Sequence, residues 1–175
     1  MISITGIVCI VCAAMLLISL ILPFASMKRE YAREFMSEPD YELEDGLTAR
    51  QVVRISLLEF TRITKYLPVD EEARTIITVA FIILAVLGAL ALLFAILKKP
   101  VGIIIFDILY VIPAIVFSTA FKKGDMVNED MYRTGMGQVC IYLFAALLLI
   151  AAIVLIVFKS QAKKEANKIE EVPVF

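Results

Sequence analysis

The chain has 175 residues, 61% of them hydrophobic, with a mean hydropathy of +0.91 and a net charge of −1. Soluble domains carry about 45–50% apolar residues, so a water-soluble globular fold is excluded, and near-neutrality gives no pull toward nucleic acid. Histidine and tryptophan are absent, which sets aside a conventional zinc or haem site and removes the commonest acid–base side chain.

Four apolar runs organise the chain. Residues 2–27, 75–97 and 136–158 carry no charge, and residues 101–121 carry one, Asp107. Each run exceeds the roughly 20 residues that a helix needs to cross a hydrocarbon core about 30 Å thick. The expectation is an all-α membrane protein: an antiparallel four-helix transmembrane bundle with spans near 3–26, 74–97, 101–121 and 136–158. It forms one domain in the lipid bilayer. The first run lacks a basic n-region and is longer than the ~7–15 apolar residues of a signal-peptide core, so it reads as a retained helix. The three cysteines, Cys9, Cys12 and Cys140, all lie in apolar runs. No disulfide framework is therefore encoded in the polar parts.

Residues 28–72 form the one sizeable polar segment. It opens with a charged stretch at 28–35 that reads as a helix, then an acidic, turn-rich stretch holding Glu38, Pro39, Asp40, Glu42, Glu44 and Asp45. That stretch lacks the regular ligand spacing and central glycine of a calcium loop and reads as solvated. Thr48 followed by Gln51 has the form of a capping box. The spacing predicts one amphipathic helix over 48–67, ended by Pro68. On a helical wheel Val52, Val53, Leu57, Phe60, Ile63 and Leu67 share one face, and Arg50, Arg54, Thr61 and Lys65 share the other. This helix would form an extracytoplasmic cap, its apolar face packed on the outer ends of the spans, laid in the lipid interface with Arg and Lys toward headgroups, or offered to a partner. Glu59 and Asp70 have no visible partner in the sequence.

Asp70, Glu71 and Glu72 then suit the positive end of the second span's helix dipole. The short link Lys98-Lys99-Pro100 forces a helical hairpin, with Pro100 placed for a helix start. Ala85, Gly88, Ala89, Ala91 and Ala95 in the second span, and Ala145, Ala146, Ala151 and Ala152 in the fourth, allow close helix approach. Pro113 removes one hydrogen bond from the third span and predicts a bend. The tail, 159–175, is polar and of mixed charge, a frayed helical extension.

Asp107 is the one ionisable residue deep in a span. An unpaired carboxylate there costs a few kcal/mol or more, which makes it a functional hypothesis by default. It sits about 9 Å of helical rise inside the third span. It can hold its proton, bond to a hydroxyl or carbonyl, or be wetted from one side. Tyr110, three residues on, places a hydroxyl on the same face. Asp107 and Tyr110 are thus the candidate intramembrane polar site, expected first as a helix–helix link and alternatively as a proton or cation site or a contact to another membrane subunit. There is no Gly-x-Ser-x-Gly elbow, no phosphate loop and no Cys/His pair. No enzyme, metal or cofactor is expected.

An even number of spans puts both termini on one side. Six lysines (Lys98, Lys99, Lys159, Lys163, Lys164 and Lys168) then share the terminal side. Eleven basic residues occupy the other side: Lys28, Arg29, Arg33, Arg50, Arg54, Arg62, Lys65, Arg74, Lys122, Lys123 and Arg133. The raw count favours termini outside. It is outweighed by the length and structure of the 28–72 segment, whereas the hairpin link and tail are short and lysine-dense.

The layout resembles small four-span proteins of Gram-positive bacteria, in which a first helix closing in Leu-Pro-aromatic leads to an ectodomain and the last span opens Gly-x-Gly…Tyr-Leu. The matching residues are Leu22-Pro23-Phe24, Gly135, Gly137, Tyr142 and Leu143. It is claudin-like in layout only, because the Trp and paired Cys of that ectodomain are missing. The resemblance implies cytoplasmic termini in the cell membrane and names no activity. The expectation is therefore a non-enzymatic, multi-pass protein: an accessory or interaction subunit of a membrane complex, or an immunity-like protector. Its partner is another membrane protein or a second copy of itself. The alternative is a small oligomeric channel or transporter using Asp107.

Overall fold

The computed structural model describes residues 2–37, 48–63, 71–123 and 131–170. The acidic stretch at 38–45, Leu67, Pro68 and Asp70 lie outside the described residues. Four long helices carry the apolar runs: α1 (Ile2–Ser19), α5 (Glu71–Ile96), α6 (Pro100–Lys123) and α7 (Met136–Glu170). α1 packs along α7 and α5, and α6 packs along the same two helices. Of the small residues expected to allow this, Gly88, Ala91 and Ala95 of α5 and Ala145, Ala151 and Ala152 of α7 are buried and Ala85 is half-buried, whereas Ala89 and Ala146 are exposed.

Among the described residues, three helical stretches are long and apolar enough to cross a membrane: Arg74–Ile96, Pro100–Thr119 and Met136–Glu165. The apolar helix Ile4–Ser19 is shorter. Their outward surfaces are apolar, as hydrocarbon requires. Ile82, Val86 and Leu93 of α5, Ile105, Ile112 and Val116 of α6, and Ile150 and Ile153 of α7 are all exposed.

The first apolar run does not stay helical to residue 26. α1 stops at Ser19, and Pro23–Met27 is a strand, β1. The last turn of α1 tightens, with the amides of Leu20 and Ile21 donating to the carbonyls of Leu17 and Ile18 three residues back. Pro23 lacks an N–H and disfavours helical backbone at Leu22 before it. Apolar composition therefore persists past the point where helix is possible.

The expected continuous helix over 48–67 is also broken. It resolves into α3 (Ala49–Val53), a strand β2 (Arg54–Ser56) and α4 (Leu57–Ile63). The Thr48 amide donates to Gln51 Oε1 at 3.0 Å, so the expected start is closed from the Gln51 side. The break follows the Val52-Val53-Arg54-Ile55 stretch, whose β-branched side chains favour extended backbone. Ser56 then starts a second helix. The Glu59 amide donates to Ser56 Oγ, and the Ser56 amide donates to Glu59 Oε2, each at 3.1 Å. This second capping box is the partner of Glu59 that the sequence reading lacked.

β1 is the centre of a three-stranded antiparallel sheet in the order β2-β1-β3, where β3 is Tyr132–Thr134. No sheet was expected. It joins two segments that lie far apart in sequence and sits at the ends of the long helices. Phe117 of α6 fixes it there. Phe24 of β1 meets the Phe117 ring edge-on at 5.6 Å, and Phe60 of α4 does so at 6.0 Å. A short helix, α2 (Arg29–Phe35), follows β1.

At the opposite end, α5 closes with Lys98 in left-handed backbone, φ 53°. The amide of Lys99 reaches back to the Phe94 carbonyl, and that of Lys98 to Ala95, both at 3.0 Å. This is the helix-ending motif that usually carries glycine. Pro100 then begins α6, as its lack of an N–H allows. α6 runs unbroken through Pro113. α7 continues as one helix well beyond its apolar part, so the expected helical tail is ordered to Glu170. Lys159 of α7 donates through Nζ to the Lys98 carbonyl, tying the start of that tail to the hairpin link.

Candidate intramembrane binding site

Asp107 lies on α6 and is 2% exposed, among the most buried side chains of the protein. The sequence reading placed the Tyr110 hydroxyl within its reach. The structure turns that hydroxyl elsewhere: Tyr110 donates to the Leu16 carbonyl of α1 at 3.2 Å. Ser19, fully buried at the end of α1, also donates to the Leu16 carbonyl. Tyr110 therefore belongs to a polar link between α1 and α6. Asp107 is no part of that link, although Tyr110 and Cys12 both lie within electrostatic range of it.

Oδ1 of Asp107 is buried without a hydrogen-bond partner. Leaving such an oxygen unsatisfied costs roughly 1–3 kcal/mol, and more in hydrocarbon. Asp107 lines a groove of about 290 Å³ between α6 and α7. Ile108, Val111 and Ile112 form one wall, and Tyr142, Ala145, Ala146 and Leu149 form the other. Asp107 is the acidic member of this otherwise apolar lining. Ile108, Ile112 and Tyr142 are exposed at its rim. The alanines keep the groove open where larger side chains would close it.

A polar contact joins α6 and α7 nearer the sheet. Gln138 Nε2 donates to Ser118 Oγ, and both side chains are buried. Sequence reasoning missed Gln138. Its signal was available, because it is the one side-chain amide inside the fourth apolar run, where polar side chains act as interhelical links.

The apolar face expected on the cap turns inward. Val53, Leu57 and Phe60 are buried, and Val52 packs partly covered against the core. Ile63 closes α4. The cysteines Cys9 and Cys12 are buried free thiols and Cys140 is half-buried.

The chain matches no family model, no curated protein and no solved structure. What the fold itself defines is a class: a helical membrane protein with three long apolar helices, joined at one end by a small sheet.

Proposed function

We propose that this is a non-enzymatic, four-span protein of the cell membrane that acts as an interaction subunit of a membrane complex. Its partner is a transmembrane helix that seats in the α6–α7 groove. The observation that carries this reading is the partnerless Oδ1 of Asp107, buried beside an apolar groove that opens toward lipid. Lipid tails offer no hydrogen bond. A helix bearing Ser, Thr or Lys at the contact would offer the carboxyl a donor once it turned toward the groove, and would cover the exposed rim.

The four-span count is supported by α1 itself. Its 18 residues rise about 27 Å, close to the hydrocarbon thickness. Ile4, Ile7, Val11 and Ile18 on it are exposed. With four spans both termini share a side, which we assign to the cytoplasm, and the sheet with its short helices forms an extracytoplasmic cap. Shielding the membrane against an attacking agent, as an immunity protein does, is one form of the same role.

A channel or transporter would need polar groups in succession through the membrane. On α6, Asp107 and Ser118 are eleven positions apart, about 16 Å of rise, and Tyr110 between them is committed to α1.

The test is co-purification in mild detergent followed by mass spectrometry, with wild type and Asp107→Leu. A membrane protein retained by the wild type and lost in the variant is the expected result. Retention by neither defeats the interaction role. Proton or cation flux in proteoliposomes that disappears in Asp107→Asn would put the transport reading in its place.

A further inference from the structure

At the sheet end of the molecule a second cleft, about 350 Å³, is lined by Ile21, Pro23, Arg50, Arg54, Ser56 and Glu59, with Met36 and Val53. Arg50 and Arg54 lie four positions apart and are both exposed. The Glu59 carboxylate is already engaged, with Oε2 accepting from the Ser56 amide and from its hydroxyl, each at 3.1 Å. Among the described residues that line the cleft, two arginines therefore stand against one carboxylate, which is held by its own helix start, and this lining carries an excess of positive charge.

The height of this cleft is fixed by the membrane helices. The Gly135 amide donates to the Phe24 carbonyl at 2.8 Å, and α7 begins at the next residue, Met136. The β1 start is therefore level with the end of an apolar helix, which is the boundary between hydrocarbon and water. Ile21, 65% exposed, and Pro23 border the cleft on the membrane side. The two arginines border it from the cap. An apolar edge beneath paired guanidiniums at that height has the profile of a lipid at its phosphate: acyl chain below, phosphodiester above.

We infer that this cleft holds the phosphate of an anionic membrane phospholipid, bound by Arg50 and Arg54, with its acyl chain descending past Ile21. The site is separate from the α6–α7 groove, and neither assignment depends on the other.

Native mass spectrometry of the delipidated full-length protein tests it, with phosphatidylglycerol and phosphatidylcholine as probes. Wild type should hold phosphatidylglycerol more tightly than phosphatidylcholine. Arg50→Gln with Arg54→Gln should lower phosphatidylglycerol affinity by about tenfold to thirtyfold, from about 1 kcal/mol per basic residue near the surface. Arg50→Lys with Arg54→Lys keeps the charge and loses the bidentate fork. It should bind several-fold more weakly than wild type, and it keeps the test open should the glutamine variant fail to fold. Unchanged affinity in either variant overturns the site, as does equal binding of the two lipids by wild type. Displacement of the lipid by the same concentration of inorganic phosphate or glycerol phosphate overturns the lipid assignment and leaves a free-phosphate site.

Discussion

Gly135 and Phe24 are held together by one backbone hydrogen bond of 2.8 Å, and only a residue without a side chain fits there. A Cβ on Gly135 would collide with the Pro23 carbonyl oxygen and lie 2.7 Å from the Phe24 carbonyl carbon. Gly137, two residues on, is nearly as confined, 2.7 Å from the Leu22 carbonyl oxygen and 2.9 Å from that of Ser19. Backbone atoms cannot rotate away as a side chain can. Gly135→Ala should destabilise the protein by about 1–3 kcal/mol or more, read as a lower midpoint of thermal unfolding in detergent. An unchanged midpoint would mean that α7 does not seat against β1 as described.

Asp107→Leu and Asp107→Asn separate a structural carboxyl from one that serves a partner. From the sequence, Asp107 reads as a helix–helix link whose replacement by Leu destabilises. With Tyr110 bonded to Leu16 instead, that link is absent, and Leu removes a buried oxygen that lacks a partner. Isolated Asp107→Leu should be as stable as wild type, or more stable by about 1–3 kcal/mol. Asp107→Asn should be near neutral. Unfolding in detergent measures both, and marked destabilisation by Leu would restore the link.

Ser56→Ala should loosen α4 alone. It removes the oxygen that accepts from the Glu59 amide, and such caps contribute about 0.5–2 kcal/mol. Hydrogen exchange should speed up across Leu57–Ile63 while α5–α7 stay protected. Gln51→Ala, which removes the oxygen that accepts from the Thr48 amide, is expected to act in the same way on the shorter α3. Equal exchange in Ser56→Ala and wild type would remove the second capping box.

Tyr132 carries a pH dependence. Its hydroxyl donates to the Val52 carbonyl at 2.9 Å, and burial pushes its pKa up from 10 to about 12. A phenol with a raised folded pKa stabilises the fold fully below pH 10. That contribution, about 1–2 kcal/mol after allowing for partial exposure, is lost as pH rises from 10 through 12. Stability should therefore fall over that window in wild type. Tyr132→Phe should be flatter there, and weaker by about 1 kcal/mol at neutral pH through the lost hydrogen bond. Parallel pH profiles for the two proteins would contradict this.

Orientation is open to direct labelling. With cytoplasmic termini, an impermeant thiol reagent applied to intact cells should modify Glu42→Cys and leave Glu170→Cys untouched. The background would be Cys9, Cys12 and Cys140 replaced by Ser. The opposite pattern reverses the assignment and returns the decision to the raw charge count.

The long helices were legible because each lies in an apolar run long enough for a membrane crossing and free of charge but for Asp107, whose burial followed from the cost of a carboxyl in lipid. The sheet was not legible. β2 and β3 have three residues each, and their pairing partner lies far off in the chain, so neither shows the alternation by which strands are read. β1 was hidden inside an apolar run, where average hydropathy outweighed the single stop signal at Pro23. The Ser56–Glu59 box was present in the sequence, but the wheel pattern ran smoothly across it. The α6–α7 groove depends on how two helices meet, which no single helix encodes.

The sheet also orders events during synthesis. Its central strand emerges directly after α1, yet its second partner, β3, stands immediately before the last helix. Ala25, Ser26 and Met27 wait for Thr134, Arg133 and Tyr132 while α5 and α6 are made. The sheet can therefore be completed only once β3, next to the last helix, has been made. A chain stopped before Tyr132 would leave one edge of β1 without its partner strand.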